Sequence, residues 1–457
     1  MTEPPDSLGR TLRARHVTMI TVGGIIGAGL FVGSSTAIHT TGPAAVVSYA
    51  LSGLVILLVM RMLSELATAF PGVGSFTEFT RIGLGAWAGF TTGWLYWYFW
   101  VIVVPIEAIA GASILHAWMP GLAVWQLGLA LLTLMTCVNL MSARSFGEFE
   151  FWFSSIKVAA IVVFIAISGA YACGITAPSG PTFGNLVSHG GFAPKGWLTV
   201  LAGVTSVIFS FVGAEITTIA AAESREGARA IARLASSVAL RILLFFVLSI
   251  FLIVSVVPWD EIRPGISPFA VALEHIGIRG AATMMILVVL TAVLSCLNSG
   301  IYVTSRVLFG LAAKGDAPQW LVAVNKRRVP TRAILAGAVF GYAAIGASVV
   351  SPGVVFSFLV NASGAIALVN YLLVVLAELR LRRDLEATAP EKLAIRMWFF
   401  PYASWAVAAV IVAVLAAMAA TPELQSQFFS SAAVVAVVLG AFALLRRRPF
   451  TAFTSEV

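Results

Sequence analysis

Apolar residues in this chain gather into long runs, and polar residues collect between the runs instead of alternating within them. A helical crossing of a bilayer takes roughly 20 predominantly apolar residues, and on that scale the runs predict twelve crossings. The first six lie at Val17 to Ile38, Ala44 to Phe70, Ala88 to Leu115, Leu122 to Met141, Phe149 to Tyr171 and Leu198 to Ala221. Six more lie at Leu234 to Val257, Gly280 to Phe309, Ala333 to Val350, Val354 to Ala377, Phe399 to Ala420 and Phe428 to Leu445. Helices are the expected form, because lipid cannot satisfy a free peptide group and no barrel-like alternation is present. The longer connections, Ala172 to Trp197, Pro258 to Arg279 and Glu378 to Met397, are too short for a separate domain.

Basic residues orient the array. If the amino terminus is inside, roughly 24 of the 28 lysines and arginines fall on the cytoplasmic side, which is the bias multi-pass proteins show. Lys195, Arg263 and Arg279 lie outside, and Lys157 lies within a crossing. Both termini, 1–16 and 446–457, are therefore expected in the cytoplasm, with the chain in a plasma-type inner membrane. The first sixteen residues lack an obvious cleavage site and read as retained.

Composition narrows the function classes. Of the 457 residues, 60% are hydrophobic and 11% charged, against about 25% charged in soluble domains. With a mean hydropathy of +0.98, this excludes a soluble or disordered protein. A net charge of +8 does not point to nucleic acid, since the basic residues sit between apolar runs. Cys137, Cys173 and Cys296 are too scattered for a disulfide framework or a clustered metal site. His16, His39, His116, His189 and His275 all fall at the ends of expected crossings or in loops, so no metal centre and no catalytic triad is expected at membrane depth. Neither an enzyme nor, lacking a filter repeat, a channel fits.

Two crossings look interrupted. The first holds Gly23-Gly24-Ile25-Ile26-Gly27-Ala28-Gly29, and each glycine costs a helix about 1 kcal/mol relative to alanine. The sixth holds Phe209-Ser210-Phe211-Val212-Gly213-Ala214-Glu215, with a carboxylate inside the membrane. Interruptions at corresponding positions five crossings apart are the mark of an inverted-repeat secondary transporter. Unwinding would free the N–H groups of Ala28, Gly29 and Leu30 for a carboxylate and the carbonyls of Ile25, Phe209 and Val212 for an ammonium, so a zwitterion fits. The rival reading is that the glycines permit close helix packing, a spacing that Gly23 and Gly27 satisfy.

The stretches His16-Val17-Thr18-Met19, Ile26-Gly27-Ala28-Gly29-Leu30-Phe31-Val32-Gly33-Ser34-Ser35, Phe146-Gly147-Glu148-Phe149-Glu150-Phe151-Trp152 and Ser295-Cys296-Leu297-Asn298-Ser299 resemble the amino acid transporter family of the amino acid, polyamine and organocation superfamily. Within it, Gly93-Trp94-Leu95-Tyr96-Trp97, Pro105-Ile106-Glu107-Ala108, Gly213-Ala214-Glu215-Ile216 and Ala220-Ala221-Ala222-Glu223-Ser224 are most similar to gamma-aminobutyrate permeases. The resemblance implies an all-α integral membrane protein with twelve transmembrane helices and a leucine-transporter-type fold: two inverted five-helix repeats at 17–171 and 198–377, with helices 1 and 6 discontinuous, plus two further helices at 399–445. It implies import of an amino acid with protons. Some of these permeases carry a serine where this chain has Ala28-Gly29, which leaves carboxylate recognition here more dependent on backbone.

Ionisable residues at membrane depth are functional candidates by default, since each costs at least about 2.5 kcal/mol on insertion scales. Lys157 lies about two turns into the fifth crossing; by the resemblance it replaces a sodium ion, bridges crossings one and eight and couples the cycle to protons, whereas its bland reading is snorkelling to the headgroups. Glu107, just after Pro105, is suited to an ammonium, a shared proton or a structural hydrogen bond. Glu215 is suited to capping freed amides, to receiving the coupling proton, or to both. Arg61, Glu65, Glu78, Arg81 and Arg306, nearer the inner surface, read as gate or headgroup charges. Ser295, Asn298, Tyr302, Asn361 and Ser363 recur at helical spacing suited to a polar cavity, and Phe209 and Phe211 to an aromatic lid.

The combined reading is a proton-coupled importer of gamma-aminobutyrate that works by alternating access, driven by the proton gradient with no bound cofactor. Its partners are a small zwitterionic amino acid, protons and membrane lipids. The alternatives are an amino acid or polyamine exchanger and a proton-coupled permease for proline, aromatic or other alpha-amino acids.

Overall fold

Long apolar segments in a solvent without hydrogen-bonding partners fold so that every peptide group is satisfied within the segment, which is what a helix does. The computed structural model describes residues 25–445, apart from 72, 74, 142, 178, 179, 214, 216–227, 326 and 351, and no strand occurs among the described residues. The expected terminal segments, the start of the first crossing through Gly24, Ala214, Ile216 and Glu223 lie outside the described residues.

The chain enters through a loosened turn. Ile26 and Gly27 interrupt helical hydrogen bonding, a π-helical turn occupies Gly29–Gly33, and α1 (Ser34–Thr41) follows. Then come α2 (Ala45–Ala69), the short α3 (Phe76–Leu84), α4 (Ala86–Trp118), α5 (Val124–Met141) and α6 (Ala143–Ala172). The second half holds α7 (Trp197–Ala202), α8 (Val204–Phe211), α9 (Ala228–Val256), α10 (Pro268–Ile276), α11 (Ala281–Ala313), α12 (Thr331–Ala347), α13 (Pro352–Thr388), α14 (Tyr402–Ala420) and α15 (Gln425–Leu445).

Among the described residues, eight helical stretches are long and apolar enough to cross a bilayer. The first, Gly29–Ala69, runs over what the sequence divides into two crossings. The shorter apolar helices Trp197–Phe211, Leu243–Val256 and Thr331–Ala347 overlap three further expected crossings. One boundary moves substantially: α13 continues through Thr388, where the sequence places its end near Ala377 and reads the charged stretch beyond as a loop. Charged side chains do not end a helix that has left the apolar layer, and Arg382 pairs with Glu386 one turn on, at 2.9 Å.

At the centre stands α4, buried on all sides from Ala88 to Ala112 apart from Trp94 and Tyr98, with α11 and α13 packed along it. In contrast, α15 leaves almost its whole apolar surface facing outward, as a peripheral helix in lipid can. Glu65 of α2 is fully buried, pairs with Arg382 of α13 and accepts the Met397 N–H, while Arg61 donates to the Arg396 carbonyl at 2.9 Å and lies over the Trp398 ring. The sequence reads Arg61 and Glu65 as gate or headgroup charges; the structure uses them to tie 396–398 to α2.

Candidate functional site

The glycine run and the carboxylate of α4 meet. Both oxygens of Glu107 accept the Ala28 N–H, at 3.1 and 3.0 Å, across 79 residues of sequence. Glu107 is 1% exposed, the Cys296 thiol of α11 adds a hydrogen bond, and fully buried Lys157 of α6 attracts the carboxylate. A helix end presents unpaired N–H groups and a partial positive charge, so a carboxylate placed there satisfies both. Gly27 makes the approach possible, since a Cβ on it would stand 2.7 Å from the Cys296 Cβ and Sγ and from Glu107 Oε1. Helix loosening and close packing, alternatives at the sequence level, therefore occur at the same glycines.

The second interruption is equally local in origin. Helix α8 stops at Phe211, Val212 is extended (φ −65°, ψ 140°), and Gly213 takes φ +124°, a conformation that L side chains rarely adopt. Both oxygens of Glu215 accept the Gly213 N–H at 3.2 Å, and the Tyr371 hydroxyl of α13 donates to Glu215 Oε2 at 3.1 Å.

Between the two interruptions lies a cavity of about 10 Å³, lined by Ile25, Gly27, Gly29, Glu107, Phe209 and Val212 together with Phe99, Trp100, Val103, Ser210 and Cys296. That is room for about one water, so a larger solute requires this site to open. Of the residues singled out from sequence for the substrate, Ile25, Gly29, Glu107, Phe209 and Val212 line the cavity, and Ala28 reaches it through its N–H. Leu30 is buried in the π-helical turn.

Others go elsewhere. The Phe211 ring packs between Tyr49 and Phe246, with centroids at 6.1 and 4.8 Å, so it belongs to the core while its neighbour Phe209 faces the cavity and Phe99. Asn298 is held by Asn139 of α5, whose Nδ2 donates to its Oδ1 at 2.8 Å. Asn361 accepts from Ser206 at 2.5 Å, and Arg306 lies over the Tyr302 ring. Cys296, Phe99, Trp100 and Val103 were not singled out for this cavity; an apolar side chain on a wholly buried helix gives no periodic signal of which neighbour it faces.

An ionic cluster ties α3 to the end of α11. Glu78 of α3 accepts from Arg81 Nε at 3.1 Å and from Lys314 Nζ at 2.7 Å, and Arg81 also pairs with Asp316. Burial pushes the Glu78 carboxyl up, but Lys314 and Arg81 together hold it below its ordinary value. For Asp316 burial outweighs Arg81, and the carboxyl is raised.

Comparison with known proteins gives the site its context. Residues 16–451 match the amino acid permease family. A gamma-aminobutyric acid permease of Bacillus subtilis is 45% identical over 449 residues, covering 98% of this chain and 96% of the relative. A probable GABA permease of Pseudomonas aeruginosa is 46% identical, covering 97% and 94%. The aromatic amino acid transport protein AroP of Corynebacterium glutamicum is 36% identical, covering 97% and 96%. With apolar helices throughout and two interrupted helices meeting at a buried carboxylate, this chain is an all-helical, multi-pass membrane transporter of amino acids and belongs to the amino acid permease family.

Proposed function

We propose that the protein imports gamma-aminobutyrate together with protons, by alternating access around the cavity between the interrupted helices. The observation that carries this reading is the buried trio of Ala28 N–H, Glu107 and Lys157. It sets a carboxylate-accepting amide beside two groups able to exchange a proton. In this proposal the substrate carboxylate takes the Ala28, Gly29 and Leu30 amides, Glu107 yields that seat, and the carbonyls of Ile25, Phe209 and Val212 receive the ammonium. Phe209 closes over the bound solute; Phe211 and Asn298 support it from the core. Lys157 and Glu215 carry the coupling proton. The twelve-crossing, two-repeat topology with both ends in the cytoplasm of a plasma-type membrane belongs to the same proposal. Relatives named as GABA permeases support the substrate.

The relatives named as aromatic amino acid transporters favour one alternative, an alpha-amino acid substrate. A single screen separates the two. Purified protein in proteoliposomes is expected to accumulate radiolabelled gamma-aminobutyrate under an acid-outside gradient, with proline, aromatic and basic amino acids competing weakly. Strong inhibition by an aromatic amino acid overturns the substrate. Uptake that needs internal amino acid and ignores the gradient overturns symport in favour of exchange.

A further inference from the structure

A second small cavity lies behind Phe99 and Val212, which it shares with the first, and is lined also by Phe76, Tyr96, Glu215, Ala367, Asn370 and Tyr371. Its volume, about 10 Å³, is room for about one water. Asn370 of α13 lines it at 2% exposure, and among the described residues neither its Nδ2 nor its Oδ1 has a hydrogen-bonding partner. An amide in that condition is costly unless something satisfies it. A carboxylate, two tyrosine hydroxyls and an amide with both its donor and its acceptor unused therefore surround a space of one-water size, and a buried water with two to four polar partners meets that need.

We propose that this compartment is a hydration site whose single water, bound by the Asn370 amide, hands the coupling proton to and from Glu215. The inference rests on the symport reading above and adds a route to it. When the water is protonated, an O–H bond of the hydronium breaks and one forms on Glu215; on release the same bond on Glu215 breaks and the proton returns to water, so no other reactant is needed. Tyr371 donates to Glu215 Oε2, and so acts as a positioning residue that fixes the direction of the carboxyl group. Among the described residues, Tyr96 from α4 and Tyr371 from α13 are titratable groups that face Glu215. Phe76 of α3 packs edge-on against Tyr96, at 4.7 Å between centroids, and closes the far side.

The test uses the full-length protein in proteoliposomes with Asn370→Leu and Asn370→Ser. Counterflow at equal pH exchanges labelled for unlabelled amino acid and needs no net proton movement; accumulation under an acid-outside gradient does. Asn370→Leu, which fills the site with methyl groups, is expected to lower accumulation at least roughly ten-fold while sparing counterflow, and Asn370→Ser, which keeps a hydroxyl, to restore most of it. Unchanged accumulation in Asn370→Leu overturns the proposal, and so does an equal loss of both activities that serine fails to rescue. Infrared difference spectra give an independent arm: the protonated Glu215 carboxyl band, assigned with Glu215→Gln, is expected to shift in Asn370→Leu. If the wild type shows no gradient-driven accumulation, symport fails; the band shift then decides the water by itself, and its absence overturns the hydration site.

Discussion

Glu107 and Glu215 do the same thing by opposite routes. Each places both carboxylate oxygens on one backbone N–H at an interrupted helix, at 3.0 to 3.2 Å. Glu107 reaches Ala28 from a different helix, 79 residues away, and lies under the attraction of Lys157. Glu215 reaches Gly213 two residues back and also meets the hydroxyls of Tyr371 and Tyr96. The first contact is a tertiary clip, and opening the seat must break it. The second is a local cap that travels with its own helix end, so its protonation can change while the interruption stays intact. In the proposed cycle, one carboxylate would respond to the solute and the other to the proton.

Removing the clip should have the largest effect. Glu107→Ala strips the Ala28 N–H of its acceptor and a negative charge from beside Lys157, so a loss of about 3 to 5 kcal/mol is expected in thermal unfolding of the detergent-purified protein. Glu107→Gln keeps an acceptor and should cost about 1 to 2 kcal/mol. If alanine costs no more than glutamine, the two carboxylates are both mere caps and the contrast fails.

The glycines beneath the two carboxylates offer a sharper contrast. Gly27→Ala crowds Cys296 and Glu107, and a packing cost of about 1 to 3 kcal/mol should show as roughly ten-fold weaker uptake. The double change with Cys296→Gly should recover part of it by making room. Gly213→Ala meets a backbone penalty of about 1 to 2 kcal/mol at φ +124°, which no neighbouring substitution relieves. Rescue of Gly213→Ala by trimming a neighbour would show crowding on both sides. Smaller again, Tyr371→Phe removes one hydroxyl from Glu215 and should cost about 1 kcal/mol of stability. It should move the pH dependence of uptake while leaving the concentration for half-maximal counterflow unchanged.

How far these features could be read from sequence depends on whether their cause is local. Four glycines in seven residues announce a weak helix without any knowledge of the fold, and Gly213 ahead of a membrane carboxylate does the same. Glu107 stands out because a charge inside an apolar run is costly anywhere. Its partner is another matter: the Ala28 amide belongs to the backbone and lies 79 residues away, so no side-chain pattern encodes the contact. Phe209 and Phe211 are two residues apart where a helix is ending, and the side each faces follows from where the helix stops. Asn298 carries the same polarity whether it meets a solute or Asn139. Asn370, in a run of apolar neighbours, becomes informative once Glu215, Tyr96 and Tyr371 are seen around it.

The smallest effect tests whether the two compartments open independently. Phe76 lines the cavity beside Glu215, and its helix α3 is fastened to the end of α11 through Glu78, Arg81, Lys314 and Asp316. Because Glu78 is held below its ordinary value, its contribution is complete above the usual carboxylate range and is lost as pH falls through the lower folded value. Glu78→Gln mimics that loss at neutral pH. For a partly exposed cluster the expected weakening is about 0.5 to 1 kcal/mol, or roughly two- to five-fold faster hydrogen exchange across Phe76–Leu84. Acidifying the wild type past the usual carboxylate range should reproduce the acceleration. The backbone from Ala28 to Gly33 should not respond, because its clip runs through Glu107 and shares no residue with the cluster. Equal acceleration in both segments would mean that the cavities beside Glu107 and Glu215 open as one unit, and the division of labour between the two carboxylates would have to be abandoned.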